Sequence, residues 1–292
     1  MRPHRHPRTA AALTAAALAL AVAACAPEEE AKDRTGEVAD AADCATADLP
    51  LKQSGVLTVG TDSPAYEPWF SGNDPSNGKG FESAVAYAVA DELGFSKDQV
   101  KWIKVGFNGL FKPAGTDFDF DINQISITPK RDEVVDFSEG YYAASQAVIA
   151  LKGSPAADAT SLDDLKGLKL GAQTGTTSLT AIRDVIQPDD DPAVLEDTNI
   201  AKQELENGQL DAIVADLPTA FYITAVEIPD GQLVGQFQVE GGQTEEFGML
   251  FEQGNKLLPC VNRALETLKS DGTLDDLEQQ WLSDTVDVPV LK

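Results

Sequence analysis

From Leu49 onward the sequence alternates short β-type runs with helical patterns, and this alternation restricts the fold more than any other feature. VLTVG at 56–60 reads as a buried strand ending in a turn. Residues 81–93 put Phe81, Ala84, Val85, Ala88, Val89 and Leu93 on one helical face, with Gly94 as the stop. VKWIKV at 100–105, DFDFDINQISI at 117–127 and QAVIAL at 146–151 each hold a further strand. A second set runs through LKLGAQ at 168–173, a helix from about Ser178, DAIVAD at 211–216 and a helix after Pro218. Helices at 259–270 and 273–282 end the pattern, with Leu265, Leu268, Leu274, Leu277 and Trp281 as packing positions. Two such sets, joined near 142–148 and again near 237–248, predict two α/β lobes on open parallel sheets.

The first two dozen residues stand apart. Arg2, Arg5 and Arg8 precede an Ala/Leu-rich stretch from Ala10 to Val22, too short and too weakly apolar to cross a bilayer. Residues 1–24 therefore read as a cleaved export signal. It ends in Val22-Ala23-Ala24-Cys25, which resembles the lipobox of bacterial lipoproteins. That resemblance implies cleavage before Cys25 and lipid on its thiol; the alternative is a plain signal with a chance cysteine. Residues 25–48 are polar, acidic and free of aromatics, a tether between membrane and domain.

Removing the signal sharpens the chemistry. The whole chain has 48 acidic and 22 basic residues; losing three arginines leaves 19 basic and a net charge of −29. Such a surface repels nucleic acid and anionic headgroups. His4 and His6 both leave with the signal, so the mature chain has no histidine. Ser-His-Asp and Cys-His catalysis and histidine zinc sites go with them. If Cys25 carries lipid, Cys44 and Cys260 remain as an even pair outside the cytoplasm, which favours a bridge over two buried free thiols.

Other chemistry is sparse. There is no G-x-x-x-x-G-K-[ST] loop and no G-x-G-x-x-G. Asp189-Asp190-Asp191 reads as a solvated loop between Pro188 and Pro192 rather than a metal site. No cofactor and no metal are expected. Carboxylate-pair catalysis stays open in so acidic a chain, but binding without reaction leads.

From Val56 to Trp281 the chain resembles the amino-acid-binding family of bacterial extracellular solute-binding proteins that serve ABC importers. The resemblance is carried, in order, by VGTDSPAYEPWF, GFESAVAYAVADELGF, ISITPKRDEVVDFSEGYY, GAQTGTTS and LDAIVADLPTAFYI. It implies the type II periplasmic-binding-protein fold: two open-sheet α/β lobes joined by a two-stranded hinge. Lobe 1 would hold residues 49–144 and 243–292, and lobe 2 residues 145–242.

The resemblance also implies a site. A free amino acid is a zwitterion, so a desolvating cleft must present both a cation and an anion. Arg131 matches the family's α-carboxylate grip, and its planar fork suits that group; alone it would read as a surface residue. Ser126 matches an assisting hydroxyl, with an ordinary turn as its alternative. The amide of Thr177, at a strand-to-helix turn, matches a further carboxylate donor, against simple capping. Asp216 matches the α-ammonium ligand, against a helix cap. Asp62, Tyr66 and Phe107 match positions around the ligand side chain, though aromatics are more often core. Gln173 stands where several relatives carry a cation, and Glu67, Asn123 and Gln124 add polar or anionic character, which favours a polar or cationic ligand over glutamate.

The expectation is thus a monomeric, lipid-anchored, extracytoplasmic receptor that presents a small amino acid to an ABC permease and binds no nucleic acid. The alternatives are an enzyme of the same fold, of the carboxylate-dependent dehydratase type with Glu67 as its acid, or a ligand-sensing surface domain.

Overall fold

The computed structural model describes residues 44–112, 114–238, 245–282 and 288–292. The expected export signal, Cys25 and the expected tether up to residue 43 lie outside the described residues, as does 239–244 of the second expected connection. Among the described residues no helix is long and apolar enough to cross a membrane.

Two five-stranded sheets organise the molecule. In the first, β1 (Leu57–Thr61), buried at every position, pairs in parallel with β2 (Val100–Lys104) and β3 (Phe120–Asp121). Strand β12 (Leu250–Phe251) enters antiparallel between β3 and β4 (Asp136–Phe137). The second sheet contains β6 (Gln146–Leu151), β7 (Leu170–Gln173), β8 (Ala193–Leu195), β9 (Ala212–Asp216) and β10 (Gly231–Phe237), in the order β10-β6-β9-β7-β8. Here β7 runs parallel to β8 and β9, while β6 is antiparallel to both β9 and β10.

Both sheets are therefore mixed, where the alternation alone predicts parallel ones. The reason lies in the connector. Strand β5 (Tyr142–Ala144) pairs antiparallel with β11 (Glu245–Phe247), and these two carry the chain between the lobes. A strand that follows a connector strand, β6 or β12, starts at the cleft and runs away from it, against the βα strands that end there.

Helices α1 (Phe81–Glu92), α6 (Leu258–Ser270) and α7 (Thr273–Leu282) contribute to the larger core of the first lobe. Gly80 opens α1 with φ 92°, and a Cβ there would come within 2.5 Å of the Trp69 carbonyl oxygen. That closeness has a use: Pro68 and Trp69 carbonyls accept from the first amides of α1 and replace a side-chain cap. Gly94, at φ 83°, ends the helix, with the Phe95 amide returning to the Ala90 carbonyl at 2.9 Å. Trp69 packs edge-on against Phe81, Tyr142 and Phe247, so this core grips both connector strands. In the second lobe, α3 (Thr177–Ala181), α4 (Thr198–Glu206) and α5 (Leu217–Tyr222) supply core residues on the two faces of the sheet.

The last residues differ from the expected lobe 1 placement. Leu291 is buried in the second lobe's core, and 288–292 line the open edge of β10, with the Leu291 amide donating to the Gln236 carbonyl at 2.9 Å. An edge strand leaves a row of unpaired backbone groups, and the terminal segment covers it. Cys44 and Cys260 form a disulfide that ties the start of the described chain to α6.

Two outcomes follow from these features. The bridge closes a span of 216 residues, for which chain entropy gives an upper value of about 5 kcal/mol. A Cys44→Ala/Cys260→Ala variant is expected to lose up to that much in urea unfolding, and an unchanged midpoint would contradict it. Glu82 of α1 is fully buried, accepting from the Tyr141 hydroxyl and the Gln124 amide. Burial pushes its carboxyl up to about 7 against those hydrogen bonds. The native state thus holds a proton that the unfolded chain has released, and stability falls as pH rises from the ordinary carboxylate range to about 7, by on the order of 3 kcal/mol. Buried Asp121 and half-buried Asp216 act in the same sense. Urea midpoints at pH 5 and pH 8 should show the decline, and Glu82→Gln should reduce it.

Candidate functional site

A small cavity of about 60 Å³ lies where the carboxyl ends of strands from both sheets face each other. At roughly 10–15 Å³ for each water position, it has room for about four to six waters. Open α/β sheets place sites at these strand ends because loops of different strands converge there. Asp62 follows β1, Gln173 ends β7 and Asp216 ends β9, so three lining residues arrive by topology alone. Phe107 sits in a turn just past β2, and Ser126 in the segment that follows β3.

Arg131 is placed by the helix α2 (Pro129–Asp132). The Thr128 hydroxyl caps this turn by accepting from the Arg131 amide, and Pro129 pre-sets its first position. The guanidinium donates through Nη1 to the Ser126 carbonyl at 2.6 Å and through Nη2 to the Gly175 carbonyl at 3.0 Å. It also lies over Phe107 and Phe111, with centroids 5.7 and 4.6 Å away. Burial pulls it down to about 10, and Glu245 and Asp216 oppose that, so it stays charged at neutral pH. Among the described residues no carboxylate reaches ion-pair distance of it. Three of its five N–H groups remain for another acceptor.

Facing it from the second lobe is a directed polar network. The Ser126 and Thr177 hydroxyls lie 3.1 Å apart, and Thr177 donates to Glu245 Oε1 at 2.6 Å. Gln146 Nε2 donates both to Glu245 Oε2 at 3.0 Å and to Asp216 Oδ1 at 2.9 Å. The Ser178 hydroxyl donates to Gln146 Oε1 at 2.6 Å and so fixes that amide's orientation. Burial and then Glu245 hold the Asp216 carboxyl well above the usual carboxylate range, against the Gln146 bond and Arg131.

The structure gathers all eight residues singled out in the sequence around this one cavity: Asp62, Tyr66, Phe107, Ser126, Arg131, Gln173, Thr177 and Asp216. The capping alternatives do not describe two of them. Asp216 precedes α5 without capping it, and the cap of α3 is Thr176 rather than Thr177. Asn123 and Gln124 also line the cavity, Gln124 being clamped at φ 47° by Glu82. Tyr66 has its hydroxyl buried near the Thr198 and Asn199 amides but outside hydrogen-bond geometry, and its side chain lies 5.9 Å from the Lys202 ammonium. Glu67 is elsewhere: its carboxylate accepts from Ser71 and Gly72 and does not line the cavity.

Sequence reasoning passed over Glu245, Gln146 and Thr219. Thr219 accepts from the Trp69 indole at 2.7 Å, a contact between the lobes. Glu245 and Phe247 are buried while Glu246 is exposed, so the period-two alternation of a connector strand was the available signal for Glu245.

The model of the family "Bacterial extracellular solute-binding proteins, family 3" matches residues 57–284. The L-cystine-binding protein TcyJ of Escherichia coli (strain K12) is 30% identical over 241 residues, covering 79% of this chain and 84% of that protein. Among solved structures, an ancestral arginine-binding protein bound to arginine has a TM-score of 0.66 and 31% identity, covering 78% of this chain and 98% of that one. The structure of an ancestral arginine-binding protein bound to glutamine has a TM-score of 0.66 and 32% identity, covering 79% and 99%. With a match that runs from β1 through α7, this chain belongs to the bacterial extracellular solute-binding proteins of family 3 and is an amino-acid-binding solute-binding protein of the ABC-transporter type.

Proposed function

We propose that this protein is a lipid-anchored receptor that captures a polar or cationic amino acid and hands it to the membrane permease of an ABC importer. The observation that carries the reading is the pairing of Arg131 and Asp216 across one cavity, a cation from one lobe and a carboxyl from the other. A zwitterion needs both. Its carboxylate takes the free N–H groups of Arg131, aided by the Ser126 hydroxyl and the Thr177 amide, and its ammonium meets Asp216. The side chain extends between Tyr66 and Phe107 toward Asp62, with Gln173, Asn123 and Gln124 as polar partners.

The charge balance supports a polar or cationic side chain. Arg131 is the only cation lining the cavity among the described residues, against Asp62 and Asp216, with Glu245 behind Thr177. Relatives named for L-cystine, arginine and glutamine fit this class. The closing units are residues 49–144 with 243–282, and 145–242 with the terminal 288–292. Lipid on Cys25 would hold the receptor near its permease, with closed and open forms differing in affinity for it.

In a thermal-shift panel of L-amino acids, the ligand at a hundredfold over its Kd is expected to stabilise by about 2.7 kcal/mol. Arg131→Ala is expected to lose about 2–5 kcal/mol of calorimetric affinity, because a buried carboxylate is left without its partner; unchanged affinity contradicts the assignment. Cys25→Ser should move the protein from the detergent phase to the aqueous phase on fractionation of expressing bacteria. Retention with membranes would refute the anchor.

A further inference from the structure

The Asp216 carboxyl has an unusual neighbour. Gln146 offers one nitrogen to both Asp216 and Glu245, which holds two carboxyl groups within reach of the same hydrogen-bond donor. Glu245 is itself anchored by Thr177 and is buried. The groups around Asp216 are Glu245 from β11, Glu82 from α1, Arg131 from α2, and the Tyr141 and Tyr142 phenols beside and in β5. Only one of them is cationic, and among the described residues its guanidinium donates to the Ser126 and Gly175 carbonyls.

Two carboxyl groups, Glu245 buried and Asp216 half-buried, with no cation between them among the described residues, are held apart from joint ionisation by their mutual repulsion and by the loss of water. A proton on Asp216 leaves Arg131 and Glu245 as a balanced pair, and burial with Glu245 keeps it there in the empty site. An incoming ammonium supplies the missing positive charge. The O–H proton of Asp216 then passes to solvent, and the carboxylate accepts from the ligand N–H instead.

We propose that ligand capture at Asp216 is a cation-for-proton exchange, and that Glu245 is the positioning residue that sets it. The proposal rests on the amino-acid-binding reading above. Its consequence has a definite sign: below the range in which empty Asp216 loses its proton, affinity weakens as pH falls, by about tenfold per pH unit at most. Glu245→Gln removes the negative charge while keeping the shape, so Asp216 releases its proton at lower pH and the affinity profile moves with it.

The test is titration calorimetry of the full mature domain with the tightest binder from the standard L-amino acids, L-ornithine and L-cystine. Runs at pH 6.5 in phosphate and in imidazole buffer report protons released from the difference in apparent enthalpy. Release approaching one proton, a Kd about tenfold or more weaker at pH 6 than at pH 8, and smaller release in Glu245→Gln are the expected results. Identical enthalpies in the two buffers would overturn the exchange while leaving amino-acid binding intact. An unchanged pH profile in Glu245→Gln would overturn the role of Glu245, and Glu245→Asp, which keeps the charge, should retain the wild-type profile. Absence of binding by every compound would overturn the functional reading and the exchange with it. The wild-type measurement stands even where a variant does not fold.

Discussion

Bringing two lobes together over Arg131 draws a guanidinium partly out of water with no carboxylate at ion-pair distance among the described residues. The free energy of such a move is unfavourable unless acceptors and aromatic faces are found for the charge. The protein finds partial ones: two carbonyl oxygens, one from each lobe, and two aromatic faces. These hold the half-buried cation in orientation but leave most of its hydrogen-bonding capacity unspent. The shape of the rest of the site follows from that constraint. The same arginine contacts both lobes, so its hydrogen bonds report their approach, and an acceptor entering the cavity would be held by a group already in place.

Topology supplies the approach. Strands that lead into helices end at the cleft, so their following residues face it; strands that leave the connector begin there and run outward. Gln146 is the first residue of such an outgoing strand and Asp216 the last of an ingoing one, and the antiparallel register places them opposite each other. The Gln146–Asp216 hydrogen bond is thus a product of the mixed sheet and would not form in the parallel sheet that the alternation suggested. Glu245 arrives the same way, on the return connector strand paired with Ala144. The two residues that tune the site are the ones the connector strands deliver.

The legible part of the fold was the part written in local chemistry. Phe81 to Leu93 carries a helical stripe with a glycine stop, and QAVIAL is a continuous apolar run; both appear with their ends close to the expected ones. DFDFDINQISI was harder, because its acids serve different ends. Asp119 pins the amides of Lys52 and Thr58, while both oxygens of Asp121 are buried without a partner among the described residues, and only Phe120 and Asp121 form the ladder. Strand β10 was hidden by its two glycines and two glutamines, and its place depends on β6 and the terminal segment rather than on propensity. The site residues were legible through ordered motifs, which spacing alone would not single out; Glu245 and Gln146 lie in no such motif.

The acidity of the chain has two separate meanings. On the surface it is screened within about 8–10 Å by salt and governs solubility. Inside the cleft screening is weak, and a unit charge about 8 Å away contributes about 2 kcal/mol at an effective permittivity near 20. Asp62, Asp216 and Glu245 therefore act on any ligand together, and no second cation lining the cavity offsets them among the described residues. An anionic side chain would meet this field with only neutral donors such as Gln173 and Asn123 nearby, whereas a cationic one would relieve it. On the proposed reading, such a cleft would discriminate by charge before shape, through carboxyl groups that outnumber the one arginine lining it among the described residues.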